Sequence, residues 1–127
     1  MILTAYLLSG LIAVGIIFIG LRFLWDPATA SRGYGIPNSP SPSTGFPPWL
    51  AVKGLRDIVS GLFVFLLMAN GSPRLLGEFL LVASLIALGD AAIVLRSGGS
   101  RAVAFGVHGC TALFILATGA ILIGAAQ

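Results

Sequence analysis

Apolar residues gather into four long runs along this chain, separated by short polar or proline-rich breaks. The first runs from about Leu3 to Leu24 and stops at Trp25-Asp26-Pro27. The second covers about 49–69 and closes at Asn70-Gly71-Ser72-Pro73. The third covers about 75–95, and the fourth about 102–126. A bilayer core takes about 20 apolar residues at a rise of about 1.5 Å each. Lipid offers backbone groups no hydrogen-bond partners, so spans of this kind are helices. The pattern predicts an all-α polytopic membrane protein, with four transmembrane helices in an antiparallel bundle forming one domain over 1–127.

The first run is read as a retained span. Ala28-Thr29-Ala30 resembles a cleavage site, but no basic region precedes the run, which exceeds the usual 7–15-residue signal core. The breaks differ in length. Residues 70–74 and 96–101 form tight turns, which predicts that the second, third and fourth helices are antiparallel neighbours. The 25–48 stretch holds six of the seven prolines, among Ser and Gly, and reads as a long irregular loop: a lid or a loose connection.

Composition agrees. The chain is 57% hydrophobic and 9% charged, against roughly 45–50% and about 25% in soluble proteins. Too few charges remain to solvate a globule. The net charge of +3 comes from scattered residues rather than the dense basic stripe of a nucleic-acid binder, so no nucleic-acid partner is expected. A single Cys excludes a disulfide framework, and Cys110 is read as inert. The single His excludes a multi-His metal site, and no nucleotide loop or haem motif occurs, so neither metal nor cofactor is expected.

Charge also predicts sidedness. Four spans place both termini on one face, side A, and the long loop on the other, side B. Side B carries Arg32, Arg96 and Arg101, with Arg22, Lys53 and Arg56 just inside the spans; side A carries Arg74. The positive-inside rule makes side B cytoplasmic and both termini non-cytoplasmic. Trp25 and Trp49 suit interfacial anchors at the ends of the loop, and Glu78 is placed to pair with Arg74.

Charges within spans are costly and point into the bundle. Counting residues inward from side B puts Asp57 at about 12 Å, Asp90 at about 8 Å and His108 at about 9 Å, with Arg22 nearer the surface. These residues converge in one third of the membrane. Lys53, Asp57 and Ser60 share a helical stripe, as do His108, Thr111 and Thr118. The expected site is a pocket opening toward side B under the proline-rich loop. Asp57, His108, Asp90 and Arg56 are the candidate catalytic residues, and Arg22, Lys53 and Thr111 the candidate substrate-binding ones. The alternative reads Asp57 and Arg56 as a structural pair that fixes helix register.

Gly20-Leu21-Arg22-Phe23-Leu24-Trp25-Asp26-Pro27, Gly33-Tyr34-Gly35-Ile36-Pro37 and Lys53-Gly54-Leu55-Arg56-Asp57, followed by Gly89-Asp90 and His108, resemble the small integral membrane proteins of domain-of-unknown-function family 4267. The likeness extends over nearly the whole chain. It implies a four-helix membrane protein and draws attention to Arg22, Arg56, Asp57, Asp90 and His108, while bringing no established reaction. Pro40 to Thr44 looks like added loop.

Three functions fit these residues. One is an acid–base enzyme, of isomerase, dehydratase or cyclase type, or a binding site, for a lipophilic small molecule. Another is a structural or accessory subunit of a membrane assembly. The third is a proton-coupled transporter working as a homodimer, against which stands the absence of any carboxylate before Asp26. The expected partners are the lipid bilayer, a lipophilic small molecule, and a second copy or larger membrane complex.

Overall fold

A computed structural model describes residues 1–37 and 48–126. The Pro40–Thr44 segment and three of the loop prolines (Pro40, Pro42 and Pro47) lie outside the described residues. Every element among the described residues is helical: α1 (Ile2–Trp25), α2 (Pro27–Tyr34), α3 (Pro48–Asn70), α4 (Pro73–Arg96), α5 (Arg101–Val103) and α6 (Cys110–Gly124). A π-helical turn over Ala104–Gly109 joins α5 to α6. The last three pieces form one continuous helix, Arg101–Gly124.

Local sequence explains the boundaries. Ser72 caps α4 by accepting from the Leu75 amide, and Pro73 occupies the first turn, where its missing N–H costs nothing. Ser100 caps α5 through the Val103 amide. Part of the long loop is helical rather than irregular. Asp26 accepts from the Thr29 amide, Pro27 starts α2, and Gly35 ends it at φ 93. That is a complete set of start and stop signals for a helix too short to show an apolar stripe. A side chain at Gly35 would also press against Val103, with 2.5 Å to its Cγ1.

On α1 most buried positions are small and most outward ones large. In α1, Ala5, Ser9, Ala13 and Gly20 are buried, while Leu3, Leu7, Leu11, Val14 and Phe18 are exposed. A soluble helix does the reverse, burying its large apolar side chains. Where lipid surrounds the protein, small residues let backbones approach and large ones face the chains. α1, α4 and the Arg101–Gly124 helix are long and apolar enough to cross a membrane. α3 matches them in length but carries Lys53, Arg56 and Asp57 in its first half.

Two close pairings build the molecule. α1 runs against α3: Gly20 meets Gly54, Ala13 meets Gly61, and Gly10 meets Met68, so the two run in opposite directions. A Cβ on Gly20 would lie 2.5 Å from the Gly54 carbonyl, and one on Gly54 would lie 2.6 Å from the Gly20 carbonyl. α4 runs against α6 in the same manner, crossing at Gly77 and Gly119. By contrast, α3 and α4 are joined by a tight turn yet meet sparsely, with Phe63 stacked on Phe79 at 6.0 Å. The two close pairs are thus consecutive long helices, the third and fourth spans among them as the tight 96–101 turn predicts, and only the α3–α4 neighbours are loosely packed. Ala5, Ala13, Val64, Leu76, Leu80, Ile115 and Leu122 form a shared apolar core.

Candidate functional site

One ionisable residue of α3 and one of the turn before α6, Lys53 and His108, pack on a single side chain, Tyr34, at the end of α2. Lys53 and Asp57 lie one helical turn apart on α3, and the Lys53 ammonium donates to Asp57 Oδ2 at 2.7 Å. Both side chains are largely withdrawn from solvent. The same ammonium sits 4.8 Å from the Phe23 ring centre and 5.1 Å from that of Tyr34. Such cation–π contacts strengthen when the ammonium is desolvated, to about 2 kcal/mol. Lys53 is thus held from three directions, by Asp57 and by the two rings.

On the other side, the His108 ring packs edge-on to Tyr34 with centres 4.8 Å apart, and Phe23 packs edge-on to Tyr34 at 6.3 Å. His108 Nε2 lies 3.0 Å from the Tyr34 carbonyl oxygen. A carbonyl only accepts, so Nε2 carries a proton. Nδ1 faces Asp90 Oδ2 at 4.0 Å. The Tyr34 hydroxyl interacts with Asp90 and feels the charge of Asp57. Burial first, and then Asp90 and Asp57, push the Tyr34 phenol far above its ordinary value, so it stays protonated.

The π turn sits at this point. It buries both Ala104 and His108, four residues apart, and packs against α4. Isolated π turns within α-helices often occur at functional sites. No sequence signal marked this one.

The remaining candidates lie elsewhere. Arg56 is exposed, and Asp57 takes Lys53, not Arg56, as its partner. Consecutive helical positions diverge by about 100°, and on α3 this turns Arg56 outward while Asp57 faces in. Arg22 reaches Asp26 at 3.5 Å, near the surface. Hydrogen bonds from Thr29 hold the Asp26 carboxyl below its ordinary value. Thr111 is exposed, its hydroxyl donating to the Val107 carbonyl at 2.8 Å. Ser60 and Thr118 likewise donate to carbonyls four residues back. A helix hydroxyl satisfied this way gives no guide to a polar seam. Cys110 is exposed, and Arg74 pairs with Glu78 at 3.0 Å.

Sequence reasoning passed over Tyr34 and Phe23, although both lie within the motifs that carry the resemblance. A depression lined by Leu95, Gly99, Arg101 and Phe105 lies at the same end and takes in none of the clustered residues. No group of three or more His, Cys, Asp or Glu residues arranged to hold a metal occurs among the described residues.

Apolar helices of spanning length with large side chains outward define a small helical membrane protein. The profile of the domain of unknown function DUF4267 matches residues 13–122, and the chain belongs to that family. No curated protein and no solved structure matches it.

Proposed function

We propose that the protein crosses the membrane four times as an antiparallel bundle, with its termini non-cytoplasmic and the 25–48 loop cytoplasmic. In this reading the Tyr34-centred cluster is an acid–base site, or a binding site, for a lipophilic small molecule. α3 qualifies as the fourth span because Lys53 and Asp57 neutralise each other, which lowers the cost of carrying two charges into lipid. The carrying observation is that Lys53, paired with Asp57, and His108, facing Asp90, come from separate helices and pack on one ring, that of Tyr34. His108 and Asp57 are the proton-transfer groups, the bond from Nε2 to the Tyr34 carbonyl orients the ring, and Asp90 lies beside Nδ1 to stabilise the charge it gains. Lys53, rather than outward-facing Arg56, is the cation placed to steady a developing anion.

The test is mass spectrometry of lipophilic compounds that co-purify with the protein in nanodiscs. The wild type should retain a compound that D57N, D90N and H108A each lose. Identical extracts from all four proteins would overturn the reading. A second reading, a structural or accessory subunit in a homodimer or larger complex, is favoured by one observation: no buried side-chain nitrogen or oxygen lacks a partner among the described residues. A cluster that satisfies itself also serves as a clasp. Loss of a co-purifying protein partner on H108A substitution, with extracts unchanged, would support that reading instead.

A further inference from the structure

Tyr34 differs from its neighbours in the cluster because it does not come from a long helix. It stands at the end of an eight-residue segment lying between α1 and the loop. The groups around it treat its side chain as a site treats a ligand. Lys53 sits over the ring, Phe23 and His108 offer flanking rings, and Asp90 takes the hydroxyl. The His108 bond goes to the Tyr34 backbone carbonyl, not to its ring. Side-chain recognition therefore rests on a cation, two aromatic neighbours and a carboxylate, a set complementary to a hydroxylated aromatic ring. Removing that ring opens a space in direct contact with the groups assigned to proton transfer.

We propose that Tyr34 is an intramolecular stand-in for the ligand, and that the site accepts a phenolic ring on a lipophilic molecule when α2 withdraws. This rests on the acid–base reading of the cluster and names its substrate class. α2 is short and held at its ends: Asp26 caps the first turn, and Gly35 abuts Val103 and Val94. Withdrawal of one such segment uncovers the cluster without parting α1 from α3 or α4 from α6.

The experiment is equilibrium dialysis of labelled p-cresol against Tyr34→Ala protein in nanodiscs, with empty nanodiscs subtracting lipid partitioning. Saturable binding of one p-cresol per protein is expected for Y34A, and much weaker binding for the wild type, in which α2 must first withdraw. Toluene, which leaves the carboxylate without its hydroxyl, should bind about tenfold more weakly or worse. That preference should vanish in the Y34A/D90N double variant. Equal binding of toluene and p-cresol, or no saturable binding by folded Y34A, would overturn the proposal. Should Y34A fail to fold, hydrogen exchange of residues 27–37 in the wild type decides: an alkylphenol should accelerate it and the matching alkylbenzene should not. Unchanged exchange with both overturns the proposal. If the proposal fails while D57N, D90N and H108A still lose their co-purifying compound, the acid–base reading stands with a different ligand.

Discussion

Lys53 shows how one residue reconciles a charged segment with an apolar surrounding. Its ammonium neutralises Asp57 through a 2.7 Å contact and faces two aromatic rings. Breaking a buried pair by removing one partner is costly because the other charge is left behind, whereas replacing both with apolar groups is often neutral. K53M should therefore destabilise the protein by about 2 kcal/mol, somewhat below the 3–5 kcal/mol of fully buried pairs because these side chains keep some exposure. The K53M/D57L double variant should recover most of that loss. Unfolding titrations in detergent check this, and additive losses in the double variant would show that the two residues act independently. At the same scale lies the main gap in what the residues alone disclosed. Asp57, Asp90 and His108 were legible because charge in an apolar run is conspicuous. Tyr34 was not, because a tyrosine in a polar loop is ordinary, and only the fold shows where α2 delivers it.

Consecutive long helices pair closely where glycines let their backbones meet. At Gly20 and Gly54 each residue's missing side chain makes room for the other's backbone, and Gly77 with Gly119 repeats the arrangement. Gly20→Val should force α1 from α3 and cost about 1–3 kcal/mol, the usual penalty of overpacking. Gly15→Ala should be tolerated, because nothing lies within 4 Å of the added methyl. Melting temperatures of the two variants in one detergent check the contrast, and equal losses would remove the crossing as its cause. The four apolar runs were plain in the sequence, and their predicted bounds fall close to those of the long helices. The α4–α6 pairing followed from the tight 96–101 turn, but the looseness of α3 against α4 did not, because turn length limits which helices are near each other without weighing one interface against another. α2 escaped notice for a different reason. Its signals are capping residues at Asp26, Pro27 and Gly35 rather than periodicity, and the surrounding prolines suggested irregular chain.

At the scale of the whole molecule, the exposed leucines, isoleucines, valines and phenylalanines ask for lipid, and the arginines around the 96–101 turn give the structure a direction. With Cys110 replaced by Ser, Ser97→Cys should react with an impermeant maleimide only from the cytoplasmic side. Asn70→Cys should react only from the opposite side. Labelling in intact cells and inverted vesicles reads both, and the reverse pattern would invert the proposed orientation. The division into two glycine-crossed hairpins also bears on how the chain is made. Synthesis delivers α1, α2 and α3 before α4, so the tightest contact of the first half is complete in residues already released when Pro73 emerges. The second half then closes on itself through Gly77 and Gly119. Assembly can proceed as two successive local events followed by docking, the order in which units of a growing chain generally fold. His108 arrives last of the clustered residues. The polar centre is therefore completed only when the final helix joins, which makes its closure a marker of finished biogenesis.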